Sequence, residues 1–400
     1  MALGRCGSLV FLGGGGGGGG GGGSSPPRIA GVSLGESGKA FVYDCPTQTG
    51  SQAGPSDDER NGLVAFAFSP SGTYVAVTMD NKQLLLFRTR PWECLSVRTA
   101  LRRSTSVTIT GAEDRILLAD KSGDVYSFSI NKPDSPGQLQ LGHLSMLLAV
   151  AVSPDDRYVI TADRDEKIRV SLLEQPYIIE AFCLGHREFV SQLSIPPNHP
   201  QLLVSGSGDG TIRLWEYENG TEMHCLDLSE LRPSGCEKNR CAVVRLVHCR
   251  GKDFFAVLCD SLSSVYVLEL DVKAERLIHQ QTITAKQRAW DVTFDDCGGL
   301  WLLDGDIAVL YQLHEGLWRE IPDHPDQMRI KEVIRSNWPV FEGSGSAISY
   351  SNLYKMSIDN MAEYQLKKEQ RIDQRQKKRT SELMAESRDS KRPRVGGVMM

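Results

Sequence analysis

Residue types that carry chemistry are present in this 400-residue chain, but their spacing does not assemble an active site. His186, Ser205, Asp209 and Trp215 fall within GHREFVSQLSIPPNHPQLLVSGSGDGTIRLWEYENG (185–220). The apolar, β-branched runs VSQLSI and LLVSGS read as strands, and a tight Gly208-Asp209-Gly210 turn leads into TIRLW. A packing role for His186 and Asp209 is preferred to a catalytic or metal-binding one. The paired acids Asp155-Asp156 and Asp295-Asp296 lie between strand-like runs, where Ser-Pro-Asp-Asp is turn chemistry. There is no GxGxxG at a strand-to-helix junction, no HExxH and no GxSxG, so no nucleotide or methyl-donor fold is expected. The eleven glycines Gly13–Gly23 lack the Lys-Ser/Thr end of a phosphate loop and read as a flexible insert between the first two strands of a first unit. The ten cysteines contain no CxxC pair. Cys236, Cys241 and Cys249 fit no zinc spacing, while Cys183 and Cys259 sit in apolar runs as small buried hydrophobes, so a reduced, intracellular chain is expected. The sequence therefore predicts no catalytic, cofactor-binding or metal-binding residues.

The elements that hold these residues repeat. Third-strand candidates FVYD (41–44), LLLF (84–87), VYSF (125–128), IRVS (168–171), IRLW (212–215), VYVL (265–268) and AVLY (308–311) start 43, 41, 43, 44, 53 and 43 residues apart. From LLLF onward, each is preceded by candidates for a first and a second strand. A period near 40–45 resembles the WD repeat, one blade of a β-propeller. The expected fold is all-β: a seven-bladed WD-repeat β-propeller with a basic, partly helical C-terminal tail. In that family, residues at the positions of His186, Ser205, Asp209 and Trp215 form a buried hydrogen-bonded tetrad. The expected organisation is an N-terminal strand with the poly-glycine insert (1–27), the propeller (28–325, its first blade also using 8–12), a mixed closing segment (326–360) and the tail (361–400). The late sixth unit carries an extra loop, LRPSGCEKNR (231–240), and GLWREI (316–321) is the outer strand of the seventh.

Charge is uneven. Net charge is −5 overall, but residues 361–400 hold eleven Lys/Arg against six Asp/Glu. The tail is thus +5 and the remainder −10, an asymmetry that suits a negatively charged partner or a nuclear import receptor. From Asp359 to Arg379 the residues favour a solvated helix carrying Lys367, Lys368, Arg371, Arg375, Lys377, Lys378 and Arg379. Lys377-Lys378-Arg379 together with Lys391, Arg392 and Arg394 resembles a two-part nuclear localisation signal, so the nucleus is expected, with the cytoplasm as a second compartment. No apolar run reaches the roughly 18–20 residues that span a bilayer, and Met1–Leu12 lacks the features of a signal peptide.

One turn departs from structural need. A shift of 44 aligns TADRDEKIRVS of the fourth unit with SGSGDGTIRLW of the fifth. Thr161 falls on Ser205 and Asp165 on Asp209, consistent with a second tetrad around His143, but Ser171 occupies the Trp position. Arg164, Glu166 and Lys167 replace Gly208, Gly210 and Thr211. Either this is a solvated charged turn or Arg164, Asp165, Glu166, Lys167 and Arg169 form a partner-docking surface. The same topological face would gather Lys82, Arg102, Arg103 and Lys121 with Arg164 and Lys167 into a basic arc suited to a phosphate backbone, without an aromatic platform for reading bases.

PWECLSVRTALRRST (91–105), LADKSGDVYSFS (118–129), LGHLSMLLAVAVSPDDRYVITADRDEKIRVS (141–171), SGDGTIRLWEY (207–217), SNW (336–338) and SNLYK (351–355) resemble the WD-repeat non-catalytic subunits of eukaryotic tRNA guanine-N7 methyltransferases. The likeness covers most of residues 28–380. It implies a non-enzymatic scaffold in a heterodimer with a catalytic subunit. That partner would bind S-adenosylmethionine and methylate guanine N7 in the variable loop of tRNA. It also implies that residues 164–167 and 169 dock the partner and that the basic tail helix touches tRNA, for which the basic arc is a further candidate. The alternative is a general WD-repeat adaptor, such as a substrate receptor in a ubiquitin ligase.

Overall fold

Apolar, β-branched four- to nine-residue runs separated by Gly/Asp/Ser turns leave the chain one economical solution, the antiparallel meander. The computed structural model describes residues 2–6, 9–14, 28–33, 40–44, 62–231, 241–260, 262–287, 289–342, 350–355, 361 and 364–375. The strands run β1 Ala2–Cys6, β2 Leu9–Gly14, β3 Arg28–Ser33 and β4 Ala40–Asp44; β5 Leu63–Phe68, β6 Tyr74–Met79, β7 Gln83–Thr89 and β8 Trp92–Thr99; β9 Ser104–Ile109, β10 Arg115–Asp120, β11 Asp124–Ser129 and β12 Gln138–Gly142. They continue as β13 Leu147–Val152, β14 Tyr158–Asp163, β15 Ile168–Leu172 and β16 Ile179–Cys183; β17 Val190–Ser194, β18 Leu202–Ser207, β19 Thr211–Glu216 and β20 Thr221–Asp227. The last two groups are β21 Val243–His248, β22 Phe254–Cys259, β23 Ser264–Asp271 and β24 Arg276–Thr284; and β25 Ala289–Phe294, β26 Leu300–Asp304, β27 Ile307–His314 and β28 Leu317–Glu320. Each group of four is a sheet in sequence order.

The expected count of seven blades is corrected to six, β5–β28. Six of the seven third-strand candidates are third strands: β7, β11, β15, β19, β23 and β27. FVYD is not; it lies in β4, the outer strand of the N-terminal sheet. Ala2–Cys6 supplies an inner strand for that sheet that the sequence reading did not include, and the glycine run begins inside β2, whose last residues are Gly13 and Gly14, so it falls between second and third strands. In the N-terminal sheet only the side chains of Leu3 and Tyr43 are described.

The six blades share a device. Each first strand is bulged near its start, between Leu63 and Ala65, Ser104 and Ser106, Leu147 and Ala149, Val190 and Gln192, Val243 and Arg245, and Ala289 and Asp291. A bulge adds twist and re-aims side chains, which lets inner strands crowd around one axis. Second strands are nearly all buried, as Tyr158–Asp163 and Leu202–Ser207 illustrate, and third strands less completely so. Their apolar faces form shared cores between neighbouring blades, for example Val204 and Leu214 with Val257 and Leu268.

The segment read as mixed, 326–360, contains an 18-residue helix, α1 Pro325–Glu342. Proline suits the first helical position, and Asp326 complements the helix dipole. Ile330, Val333 and Ile334 form one buried stripe against Leu3, Trp301, Leu303 and Leu310. Leu3 is fully buried, and its backbone is held at both ends: its N–H donates to Asp291 Oδ2 at 2.8 Å, and its carbonyl accepts from Arg245 Nη2 at 3.5 Å. Arg245 Nε and Asp291 Oδ1 are 3.1 Å apart, and the guanidinium lies 5.5 Å from the Phe66 ring centroid. Residues 364–375 form a helix in a separate unit (Lys355–Met400), and every described side chain on it is exposed.

Asp291 thus serves an arginine and a backbone amide together. Asp291→Ala is expected to lower the unfolding free energy by roughly 1–3 kcal/mol, because the N–H groups of Leu3 and Val292 and the Arg245 guanidinium lose their acceptor. The same substitution should raise amide exchange in Ala2–Cys6 selectively; denaturant unfolding and hydrogen exchange check both.

Candidate functional site

The reference geometry is in the β17–β20 blade. Trp215 Nε1 donates to Ser205 Oγ at 2.8 Å, Ser205 Oγ lies 2.7 Å from His186 Nε2, and His186 Nδ1 lies 3.0 Å from Asp209 Oδ2. With the serine oxygen accepting from indole, its own proton can serve Nε2, leaving Nδ1–H for the carboxylate. Ser205 and Trp215 are fully buried, so the set is a rivet and not a reaction centre. Asp209 also accepts from the backbone N–H of Arg187 and Thr211 and from the Thr211 hydroxyl. Burial would raise its carboxyl, but the bonds and charge of His186 with those donors outweigh it and hold it well below the usual carboxylate range.

The β13–β16 blade solves the same problem with a different residue. His143 Nε2 meets Thr161 Oγ1 at 2.8 Å, and its Nδ1 meets Asp163 Oδ2 at 3.1 Å. The expected partner, Asp165, is not used. Asp163 lies on the strand two residues earlier and still reaches the ring. Its other oxygen accepts from Lys167 N–H at 3.0 Å. Burial opposes, but the His143 bond and that N–H leave the Asp163 carboxyl lowered.

This substitution liberates the turn. Asp165 and Glu166 are half-buried and Lys167 is exposed. Glu166 has φ 73°, the left-handed region that Gly210 occupies at φ 79° in the neighbouring blade. A non-glycine residue there costs about 1–2 kcal/mol, a strain compatible with a turn kept for its charges. Two of the five expected docking residues are committed inside the chain. Arg169 donates to Ser171 Oγ at 2.9 Å, Gly142 O at 3.1 Å and Pro176 O at 2.9 Å, bracing the blade where tryptophan is missing. Arg164 Nε donates to the carbonyl of Leu353 at 3.1 Å. Lys167 is the most exposed charge of the turn, and its Nζ donates to Asp165 O at 3.4 Å.

Lys82, Arg102, Arg103 and Lys121 are all exposed, on the second-to-third-strand turns and blade connections. Arg103 forms an ion pair with Asp80, and its carbonyl accepts from Lys121 N–H at 3.1 Å. Burial, then the charge of Arg103, lowers the Lys121 ammonium, with Asp80 opposing. Two cations are thus crowded over one carboxylate, an arrangement that an anion relieves. Arg98, near the end of β8, is instead buried, donating to Ser129 O at 2.7 Å beside Phe128. Lys367, Lys368, Arg371 and Arg375 are exposed on the tail helix, whereas Lys377, Lys378, Arg379, Lys391, Arg392 and Arg394 lie outside the described residues. Asp163, Phe189 and Tyr354 escaped sequence reading; the Tyr350–Tyr354 spacing was the available signal for the last.

A family model for the WD40 domain of the tRNA methyltransferase TRM82 matches residues 36–138 and 131–300. The chain is similar to the tRNA (guanine-N(7)-)-methyltransferase non-catalytic subunit WDR4 of Bos taurus, 46% identical over 345 residues, covering 83% of each chain. It is 44% identical over 347 residues to the Homo sapiens protein of the same name, covering 83% of this chain and 84% of that one. Among solved structures, U3-55K superposes with a TM-score of 0.59 over 79% of this chain and 89% of that chain at 18% identity, a likeness of fold alone.

The two acids of the turn should separate on mutation. Asp163→Asn is expected to cost roughly 1–3 kcal/mol at neutral pH, and Asp165→Asn within about 0.5 kcal/mol. Because the Asp163 carboxyl is depressed, its contribution is present above the unfolded value near 4 and fades as pH falls through the folded one. Urea midpoints of both variants, taken near neutrality and again in acid, check this.

Proposed function

Because the chain belongs to the family of WD-repeat non-catalytic subunits of tRNA (guanine-N(7)-)-methyltransferases, we propose that its β13–β16 turn docks the catalytic subunit and its cations guide tRNA. It is a scaffold and not an enzyme. The observation that carries the docking reading is the turn itself. Asp163 takes over the bond to His143, and the turn carries Asp165, Glu166 and the exposed Lys167 at the cost of a left-handed glutamate. Mixed charges at such a turn fix register with a complementary protein. S-adenosylmethionine belongs on the catalytic partner. The crowded Arg103–Lys121 pair and the exposed tail cations suit tRNA phosphates and sugar edges more than bases. The basic C-terminal sequence favours the nucleus.

Charge reversal by Glu166→Lys with Lys167→Glu should reduce co-purification with the methyltransferase at least tenfold while leaving the melting temperature within a few degrees. Undiminished association in that double variant rejects this surface. Arg169 is left out of the test because its loss would loosen the blade.

Ending the chain after residue 360 should weaken tRNA binding by the complex. The slope of log affinity against log salt should shrink by about 0.7–0.9 for each phosphate contact removed. A salt slope that stays the same counts against a tail contact.

A further inference from the structure

The stretch 350–354 belongs to the propeller unit and lies against the turns and connections of three blades. Phe189, fully buried at the start of the β17–β20 blade, is its anchor. The Tyr350 ring sits tilted 5.5 Å from Phe189, and the Tyr354 ring meets it edge-on at 5.1 Å. Ala242, Leu148 and Leu353 complete the apolar cluster. Polar contacts fix the backbone. Leu353 N–H donates to Tyr350 O at 2.9 Å, closing a turn, and Tyr350 N–H points to Asp260 Oδ2 at 3.5 Å. Burial, then the Asp260 charge, pushes the Tyr350 phenol up to about 12, so it stays neutral.

Two aligned positions converge on this segment. Arg164 and Gly208 are equivalent in the 44-residue register. A Cβ at Gly208 would collide with the Phe189 ring, so glycine there admits the anchor. Arg164, one blade away, reaches across to bond the Leu353 carbonyl. The departure from glycine at 164 and its retention at 208 thus have one common beneficiary.

We propose that Tyr350–Tyr354 is an intrachain latch and that Arg164 is its positioning residue, fixing the place on the propeller from which the basic C-terminal chain departs. The latch stands on its contacts alone; its consequence for tRNA rests on the function proposed above. A tail that starts from a fixed point searches a smaller volume than one starting from a loose loop, so its effective concentration at a bound tRNA is higher.

The test uses the full chain, alone and with its catalytic partner. In Arg164→Ala and, independently, Tyr354→Ala, amides of residues 350–355 should exchange at least tenfold faster while blade amides keep their protection. Arg164→Lys, which retains a donor, should fall between. In the complex, KM for tRNA should rise severalfold in both alanine variants with little change in kcat. The increment should vanish when the chain also ends at Lys355. Unchanged exchange in both variants overturns the latch. Faster exchange with unchanged KM, in a complex whose KM does respond to truncation, overturns the positioning role. If truncation itself leaves KM unchanged, the tail reading fails, and the exchange measurement still decides the latch. Loss of methyltransferase co-purification in Arg164→Ala without faster exchange makes Arg164 a docking residue and overturns the proposal.

Discussion

A buried acceptor at the end of each second strand is the constraint on which the turn face depends. The position is filled by Asp120, Asp163, Ser207 and Asp304, with Asp80 and Asp260 one residue past their strands. A carboxylate withdrawn from water must be surrounded by donors or lose its charge. Asp120 collects the N–H groups of Ser122 and Asp124, and Asp304 those of Lys286 and Gln287. Asp163 collects Lys167 N–H and the His143 ring. Those donors sit at the turn for Asp120, on the connection entering the same blade for Asp304, and on both for Asp163, where one side chain fixes two loops relative to a strand.

The blades differ in who supplies the acceptor. Where serine stands at the strand end, at Ser207, the carboxylate moves into the turn as Asp209, and small residues flank it. Gly208 is required by the Phe189 ring and Gly210 by a left-handed backbone. Where the strand already ends in Asp163, the turn is relieved of that duty and tolerates Arg164, Asp165, Glu166 and Lys167. Local stability still suffers, because Glu166 keeps the left-handed conformation without being glycine. A turn optimised only for folding would not combine these choices.

Repeat period made the six blades legible, because stacked sheets of equal size demand equal spacing. FVYD was misassigned because an apolar four-residue run reads alike as a third or an outer strand. What decides between them is Leu3, 288 residues from the Asp291 carboxylate that holds it. Spacing does not encode such a separation. The tetrad of His186 was readable because all four residue types are present. The set around His143 was misread by two residues, since a shift of 44 matches positions while a carboxylate is defined by reach. Arg169 was placed among the docking residues, yet its guanidinium donates within the blade to Ser171 and Pro176, contacts that alignment does not reveal. Tyr350 and Tyr354 could not be placed from sequence, because nothing local says that a segment beyond the last blade returns to Phe189.

The inward commitment of Arg164 and Arg169 divides the cations of this face into two kinds. The charges of Asp165–Lys167 are mixed, two acids and one base. Around Lys82, Arg102, Arg103 and Lys121 they are nearly all positive, with Asp80 taken by Arg103. A mixed set gains most from a surface with the reverse pattern and repels one of uniform sign, so it selects a folded protein over a polyanion. A like-charged set gains most from phosphates, whose counterions leave on binding. Arg164 and Arg169 spend donors on the carbonyls of Leu353, Gly142 and Pro176, which fixes where their charges sit beside the turn.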